Sequence, residues 1–332
     1  MTKAVSAKEL VPVTLVTGFL GAGKTTLINH LLTNDSGLRF AVIVNEFGAI
    51  GIDHDLIVSS TETLLELSNG CVCCTIRSDL VTSLRALLAG PQSFDGIFIE
   101  TTGLADPAPV IQTFMFDQLL ASKARLDAVV TIVDAVNICA HMERFEESVH
   151  QLLNATIIIV NKADLVDAST LEGIEGGIGA LNPAAICYRT SWAKLPLESL
   201  LGLNGFDTVR VADELAAHQN QTTHEETNIV ANAHHVTSQS FFSDQPLDLV
   251  ALENRLVQIM QKYGQNIIRM KGIFDIVGHD DRLVFQAVHM MSDAVWSGQW
   301  PAGVPRQSRL VVIGQNLGGM ALLSELEWFQ AA

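Results

Sequence analysis

The chain has 332 residues, 48% of them hydrophobic, which is enough apolar material for one large or two ordinary domains. Its formal net charge of −16 argues against a nucleic-acid partner, because no excess of basic side chains is available to neutralise phosphates. The first residues lack the long apolar core of a signal peptide, and no run approaches the ~20 apolar residues of a membrane span, so the cytoplasm is the predicted location and no membrane partner is expected.

The first predicted element is a buried strand at 13–16 that leads through a glycine-rich loop into a helix. The loop fits the phosphate-loop pattern G-x-x-x-x-G-K-[ST], in which backbone N–H groups and a helix N-terminus surround phosphate oxygens. Lys24 is expected to reach the β- and γ-phosphates, and Thr25 to ligate Mg²⁺. The residues predicted to bind the nucleotide in this loop are Gly18, Gly21, Ala22, Gly23, Lys24, Thr25 and Thr26.

Further apolar runs at 40–44, 97–99, 128–133 and 156–160 alternate with amphipathic stretches. Buried strands separated by helices indicate a mostly parallel sheet covered on both faces, with nucleotide chemistry at the carboxyl ends of the strands. The predicted fold class is therefore α/β, with a P-loop NTPase domain.

Two acidic residues follow strands of this predicted sheet. Glu100 closes the strand at 97–99 and can hold Mg²⁺ directly or through water, and Glu46 offers a second acid to the same metal or to the attacking water. Gly103 can place a backbone N–H against the γ-phosphate and so sense its loss. Together with Lys24, these residues form the predicted catalytic set. No arginine finger is evident in the sequence, so slow intrinsic hydrolysis is expected.

Three of the five cysteines, Cys71, Cys73 and Cys74, lie between the two acidic loops. In a reducing compartment such thiols favour metal binding over disulfides. In extended backbone Cys71 and Cys73 share one face, and a nearby turn can bring in the third sulfur. Three thiolates suit a soft or borderline metal such as Zn²⁺ and leave a fourth position open for exchange. Small buried side chains and a redox pair are the alternatives.

Asn161-Lys162-Ala163-Asp164 follows the strand at 156–160 and fits the N-K-x-D pattern of guanine-specific proteins. The Asp164 carboxylate can accept paired hydrogen bonds from guanine, a donor pair that adenine lacks. Lys162 can lie along the base, and Asn161 can tie this segment to the phosphate loop. The sequence therefore predicts GTP as the nucleotide.

The P-loop domain is predicted to span residues 1–210, and a polar stretch without periodicity at 211–233 is interpreted as a linker. Residues 234–332 form a smaller predicted α+β domain. Its predicted elements are strands at 235–242, 267–274, 282–289 and 310–314, a helix at 249–260 and a closing helix at 320–329.

Other candidate metal ligands carry a weaker signal. His289 falls on the strand predicted at 282–289 and is interpreted as a structural histidine. Cys139 and Cys187 lie in apolar surroundings and are predicted to be core residues. The histidines scattered around the linker are interpreted as solvated polar residues.

Taken together in chain order, the motifs resemble the CobW-type metal-chaperone GTPases. The matching segments are GFLGAGKTT, NEFG, NGCVCC, ETTGLADPAPV, NKAD, KGIFDI, RLVFQAVHM and RLVVIGQNL. The resemblance implies a GTPase domain with a metal-binding Cys-x-Cys-Cys motif, a CobW C-terminal domain, and delivery of metal, usually zinc, to client proteins or into metallocofactors. The sequence departs from the family at Ala49, where an acid is common, and in having scattered histidines instead of a long histidine tract.

The predicted function is that of a GTP-hydrolysing metallochaperone that uses GTP, Mg²⁺ and Zn²⁺ and serves a metalloprotein client. GTP and GDP are expected to order the loops around the cysteine motif differently, so zinc affinity must differ between the two forms. A homodimer that depends on nucleotide or metal is left open. The alternatives are a small-molecule kinase, a guanine-nucleotide switch that recruits a partner without carrying metal, and a GTPase that assists assembly of cobalamin-type or other metallocofactors.

Overall fold

A computed structural model of the chain describes residues 10–33, 37–44, 63–66, 73–183, 185–203, 236–300 and 305–317. Strands and helices alternate along the first part, up to residue 203. The elements are β1 (Val11–Thr17), α1 (Lys24–Leu32), β2 (Phe40–Val44), β3 (Thr63–Glu66), α2 (Cys73–Ala89), β4 (Gly96–Glu100), α3 (Ala108–Phe116), α4 (Gln118–Ala121), β5 (Ala124–Asp134), α5 (Ile138–Arg144), α6 (Glu146–Asn154), β6 (Ile157–Asn161), α7 (Ala168–Leu181) and β7 (Ile186–Arg189). Short 3₁₀ turns lie at Ala163–Leu165, between β6 and α7, and at Leu197–Ser199, after β7.

Strands β1 to β7 form one sheet in the order β3-β2-β4-β1-β5-β6-β7, and every adjacent pair is parallel. The central strands are apolar on both faces because helices cover both. In β4, Ile97 and Ile99 face a core built with α2 and α3, whereas Phe98 points into a core built with Leu27 and Leu31 of α1. The predicted α/β P-loop fold is confirmed.

The parallel register brings the polar ends of these strands together at one edge of the sheet. Val16 pairs with Glu100 across β1 and β4, and Asp134 pairs with Asn161 across β5 and β6. All four strands end at this edge, so the loops that leave them lie side by side. This edge therefore carries the candidate site.

The second part of the chain forms an antiparallel sheet with one long helix. Its elements are β8 (Val236–Ser243), α8 (Leu249–Tyr263), β9 (Ile267–Phe274), β10 (Asp281–Val288), β11 (Met291–Gln299) and β12 (Ser308–Gln315). The strand order is β11-β10-β9-β12-β8, and the adjacent pairs are antiparallel. Helix α8 places Leu252, Leu256 and Ile259 against Met270 and Phe274 of the sheet. The smaller α+β domain is thereby confirmed.

The two sheets are joined by a shared apolar core and by buried hydrogen bonds. Ile268 and Ile313 of the second sheet pack with Leu152 of α6 and with residues of α7. Arg269, only 3% exposed, donates to the backbone oxygens of Leu153 and Ala155 at 3.3 and 3.4 Å. From α3, the side chain of Gln112 donates to the backbone oxygen of Val288 at 3.2 Å. Helices α3 and α6 of the P-loop part thus contact the second sheet directly.

Most predicted strands occur within a few residues of the expected positions, but one strand ends earlier than predicted. Strand β10 stops at Val288, and His289 has φ 52° in a two-residue turn between β10 and β11. The predicted linker at 211–233 and closing helix at 320–329 lie outside the described residues, so the domain limits stay predictions. Among the described helices, none combines the length and apolar character needed to cross a bilayer.

The prediction that Cys139 and Cys187 are core residues is wrong. Both thiols are exposed. Cys139 lies on the solvent side of α5, and Cys187 lies on β7, which has β6 as its single neighbour among the strands that the structure describes. Apolar neighbours in the sequence were therefore no evidence that these two thiols are buried.

Candidate functional site

The loop after β1 contains two glycines in conformations that other residues rarely adopt. Gly18 has φ +135°, and a Cβ there would lie 2.1 Å from the backbone oxygen of Ile132 in β5. Gly23 has φ +115°, and a Cβ there would lie 2.5 Å from the side-chain nitrogen of Asn161. Glycine at both positions lets the loop pass close to β5 and β6 before α1 begins at Lys24.

The Lys24 side chain folds back over this loop. Its ammonium donates hydrogen bonds to the backbone oxygens of Gly18 and Phe19 at 2.9 and 3.3 Å, and the residue is only 7% exposed. Burying an ammonium is costly unless it is hydrogen-bonded, so these carbonyls hold the charge in place. The loop therefore presents a positive charge beside the N-terminus of α1, an arrangement that attracts phosphate groups.

Thr25 and Glu100 meet across the ends of α1 and β4. The Thr25 hydroxyl donates to Glu100 Oε1 at 3.0 Å, and Glu100 is 4% exposed. Mg²⁺ takes oxygen ligands at roughly 2.0–2.1 Å in an octahedron, which places neighbouring ligand oxygens about 2.9 Å apart. The hydroxyl and the carboxylate thus already stand at the spacing of two adjacent ligands of a hard divalent cation.

The segment after Glu100 packs directly on the phosphate loop. A Cβ at Gly103 would lie 2.6 Å from the backbone nitrogen of Leu20, so the two backbones are in contact. From α6, the buried Gln151 donates side-chain hydrogen bonds to the backbone oxygens of Gly103 and Ala105 at 3.2 and 3.0 Å. The sequence reasoning missed Gln151, because a glutamine on one face of a helix carries no local signal.

Asn161 connects three parts of the site. Its side-chain nitrogen donates to the backbone oxygen of Ala22 at 2.8 Å, and its side-chain oxygen accepts from the backbone N–H of Ala193 at 2.9 Å. The residue is 3% exposed, so both hydrogen bonds are shielded from water. Asn161 therefore fixes the end of β6 against the phosphate loop on one side and the loop after β7 on the other.

Beside Asn161, Lys162 has φ 59° and forms an ion pair with Asp134 at the end of β5, with Nζ 2.6 Å from Oδ2. Burial opposes ionisation of Asp134, but hydrogen bonds from Lys162, Asn137 and the backbone of Val136 outweigh it and lower the pKa of the carboxyl. Asp164 lies in the 3₁₀ turn and is exposed. Its carboxylate is thus accessible to a ligand that lies over this edge.

A further loop of the site was not predicted from the sequence. After β7, Trp192 and Ala193 have φ values of 61° and 52°, and Thr190 closes the turn by donating to the backbone oxygen of Lys194 at 3.0 Å. The loop is held against Asn161, while the Trp192 side chain is 73% exposed. A tight turn without glycine gives no sequence signal, and only its position after a parallel strand could have indicated it.

Not every predicted site residue falls in the part of the chain that the structure describes. Glu46 and Cys71 lie outside the described residues. Cys73 and Cys74 begin α2, of whose first turns the structure describes the backbone. In the phosphate loop, Gly21 has φ +73°, and Thr26 is exposed in the first turn of α1. The structure thus brings together the phosphate loop, Glu100, Gly103 and the Asn161–Asp164 segment, and the cysteine site stays a prediction.

Comparison with known proteins assigns the family. Residues 12–189 match the CobW/HypB/UreG nucleotide-binding domain, and residues 236–330 match the cobalamin synthesis protein CobW C-terminal domain. The chain belongs to the CobW family of P-loop GTPases. The predicted resemblance and the predicted enzyme class are confirmed by these matches, which together cover most of the chain.

Similar proteins match from 60% to nearly all of this chain. The zinc chaperone CobW of Pseudomonas aeruginosa is 36% identical, and the alignment covers 95% of this chain and 90% of that protein. The crystal structure of Zn(II)-bound YjiA GTPase from Escherichia coli superposes with a TM-score of 0.76 at 28% identity, covering 97% of this chain and 100% of that one. Zinc-regulated GTPase metalloprotein activator 1 of Schizosaccharomyces pombe is 37% identical over 60% of this chain and 51% of its own length.

Proposed function

We propose that this protein binds GTP with Mg²⁺, hydrolyses it, and uses the cycle to load and deliver zinc to a metalloprotein client. The observation that carries the proposal is the convergence at one sheet edge of the phosphate loop, the Glu100–Gly103 segment and the Asn161–Asp164 segment. In this proposal the phosphates lie in the Gly18–Thr26 loop against Lys24. The base lies over Lys162 and Asp164.

Asp164 and Lys162 are proposed to select guanine. The exposed Asp164 carboxylate accepts hydrogen bonds from the two adjacent donors of guanine, which adenine cannot supply. Lys162 lines the base with its aliphatic stem, while Asp134 holds its ammonium. Asn161 holds both residues close to the phosphate loop through its hydrogen bond to the backbone oxygen of Ala22.

Thr25 and Glu100 are the residues that would hold Mg²⁺, because their oxygens already have the spacing of adjacent ligands. When bound, the ion neutralises charge on the β- and γ-phosphates. Lys24 adds a positive charge at the same phosphates. The backbone N–H of Gly103 is proposed to donate to the γ-phosphate, so that loss of this phosphate changes the position of the segment that follows β4.

Zinc is proposed to be the cargo, held by the thiolates of Cys71, Cys73 and Cys74. The names of the similar proteins, zinc chaperones and a metalloprotein activator, support both the metal and a metalloprotein client. Helix α2 begins at Cys73, and three thiolates leave an exchangeable fourth position. Assembly of another metallocofactor and a metal-free guanine-nucleotide switch are the competing functions.

The nucleotide part is tested by competition of GTP, GDP and ATP for the protein with a fluorescent guanine nucleotide. We expect GTP and GDP to compete at much lower concentration than ATP, and Asp164→Asn to remove this preference. Asp167→Asn is the matched control, because Asp167 is an exposed acid three residues later that caps α7. Equal competition by ATP in the unmodified protein would support a kinase instead.

The metal part is tested with Co²⁺ as a spectroscopic substitute for Zn²⁺. We expect thiolate-to-cobalt charge-transfer absorption in the unmodified protein and its loss in Cys73→Ser. Exposed Cys139→Ser serves as the control and keeps the band. Absence of the band with either GTP or GDP bound would leave only the metal-free switch.

A further inference from the structure

Three potential metal ligands, none of them in the proposed nucleotide site, meet at the junction of the two sheets. Asp106 lies just before α3, His150 lies on α6, and His289 forms the turn between β10 and β11. His150 Nδ1 is 3.2 Å from Asp106 Oδ2, and His289 Nε2 is 3.9 Å from the same oxygen. We propose that these three side chains bind a first-row transition-metal cation of the Zn²⁺ class, at a site separate from the cysteine motif.

The spacing of the three ligand atoms fits such a cation. Zinc bonds of roughly 2.0–2.2 Å in a tetrahedron place neighbouring ligand atoms about 3.3–3.6 Å apart. The three atoms all lie within 4.8 Å of one another, and the two distances to Asp106 fall on either side of the ideal value. Three protein ligands leave the fourth tetrahedral position for water or another ligand.

The chemistry of the ligands selects the class of metal. Two imidazoles and one carboxylate suit Zn²⁺ and its neighbours, whereas Mg²⁺ and Ca²⁺ prefer oxygen ligands alone. The side chains of Asp106, His150 and His289 are 30%, 17% and 27% exposed, so an ion can reach them from solvent. This partial burial also keeps the ligands from being fully hydrated.

Partners outside the cluster hold the second polar atom of Asp106 and of His150, as is usual for metal ligands. The other oxygen of Asp106, Oδ1, accepts from the backbone N–H of Ala108 at 2.9 Å. His150 Nε2 faces Glu146 Oε1 at 3.7 Å, and Gln315 of the second sheet donates to the same oxygen. The backbone of His289 is fixed by its N–H, which donates to Ile268 at 3.0 Å.

An ion pair between Asp106 and protonated His150 is the simpler interpretation of the cluster. That pair leaves unexplained why a second imidazole, His289, is directed at the same carboxylate oxygen from another sheet. The Glu146 carboxylate on the far side of the His150 ring fits either state, since it attracts the Nε2–H of a protonated imidazole as well as that of a metal-bound one. A bound cation accounts for the position of His289, and it displaces the proton that otherwise links Nδ1 to Oδ2.

The site would fasten the segment after β4 to the second sheet. Asp106 follows Gly103 by three residues, and Gln151, next to His150, holds the backbone oxygens of Gly103 and Ala105. A cation shared by Asp106, His150 and His289 therefore links the phosphate-loop side of the molecule to the β10–β11 turn. Metal bound there would stabilise the contact between the segment after β4 and the second sheet.

The test is the number of Co²⁺ or Zn²⁺ ions bound per full-length chain, measured by titration against a chromophoric chelator. Two variants on different elements, His289→Asn and His150→Gln, each remove one imidazole. Asparagine tolerates the left-handed backbone of residue 289. The control is His279→Gln, an exposed histidine of the same domain that stacks on Trp296.

We expect each ligand variant to bind one metal ion fewer per chain than the unmodified protein. The metal affinity of this site should fall by more than the ~10–100-fold that is typical when a hydrogen-bond partner of a metal ligand is removed. The control keeps the full number, and thiolate-to-cobalt absorption is unchanged in all three variants. The proposal is overturned if both ligand variants bind as many ions as the unmodified protein, or if the control loses the same equivalent. Failure of the cysteine site would appear separately, as missing thiolate absorption.

Discussion

Gly103 is the residue at which the γ-phosphate and the phosphate loop meet in the proposed mechanism. Its position was expected from the sequence because it follows a buried strand, but its contact with Leu20 was not. A side chain at this position would lie 2.6 Å from the backbone nitrogen of Leu20. The position therefore has no room for a Cβ unless one of the two loops moves.

We predict that Gly103→Ala lowers the rate of GTP hydrolysis by roughly 10–100-fold, because displacement of a positioning backbone by even 1 Å is costly. Phosphate release at saturating GTP is the measurement. Gly173→Ala is the matched control, since a Cβ at Gly173 on α7 meets nothing within 4 Å. A Gly103→Ala protein that hydrolyses GTP at the unmodified rate would rule out the proposed role of this N–H.

Because of the ion pair between Asp134 and Lys162, the stability of the fold is expected to fall as the solution becomes acidic. The pKa of Asp134 is lowered in the folded protein, because hydrogen bonds from Lys162, Asn137 and Val136 outweigh the effect of burial. A lowered acid pKa stabilises the fold above the unfolded value of about 3.9, and this stability is lost as pH falls through the folded pKa. The contribution is therefore complete at neutral pH.

We predict that Asp134→Asn lowers the free energy of unfolding by about 1–3 kcal/mol at pH 7, the usual value of hydrogen bonds to a charged group. The difference between the two proteins should shrink as pH falls below about 4. Thermal or denaturant unfolding at a series of pH values measures this difference in the free energy of unfolding. A difference that is constant down to acid pH would show that the carboxylate charge is not what stabilises this edge.

At the scale of elements, the sequence predicted the interior strands of both described sheets, and of their four edge strands it predicted β8. Strands β2 and β9 have the predicted limits, and in β2 every residue is apolar and buried, so the run is visible without any neighbour. Strands β3, β7 and β11, which lie at edges of the two sheets, were missed. In β11 most residues are exposed, so its sequence carries no apolar run. These three edge strands are specified by their partners more than by their own pattern.

The N-terminal cap of helix α8 contributes to the free energy of unfolding by an amount that single substitutions can measure. Asp248 caps its N-terminus by accepting from the backbone N–H of Ala251 at 2.9 Å, and the helix buries Leu252, Leu256 and Ile259. We predict that Asp248→Ala lowers the free energy of unfolding by ~1 kcal/mol, whereas Asp248→Asn, which can still cap, costs less. Equal losses in the two variants, measured by denaturant unfolding, would contradict the capping role.

At the scale of the whole molecule, parallel topology explains why the nucleotide site could be predicted. Each motif follows a strand of the same sheet, so all the motifs must reach the same edge. The Asp106–His150–His289 cluster could not be predicted, because it depends on how the two sheets pack. Asp106 and His289 are far apart in the sequence, and His289 was assigned to a strand that in fact ends before it. Contacts between domains leave no periodic signal in either partner.

The central claim is that nucleotide and zinc affect each other's binding. Linkage requires that if zinc prefers one nucleotide form, that nucleotide is bound more tightly in the presence of zinc by the same factor. We propose that the segment containing Gly103 transmits this effect, since it contacts the phosphate loop on one side and Gln151 on the other.

The most direct test is the metal dissociation constant of the cysteine site in protein loaded with a non-hydrolysable GTP analogue, compared with that in GDP-loaded protein. It is read from thiolate-to-cobalt absorption, to which the Asp106–His150–His289 site does not contribute. We predict a ratio of about 5-fold or more, within the usual range of coupling between sites. Cys73→Ser should abolish the difference. Equal zinc affinities in the two nucleotide forms would contradict the account.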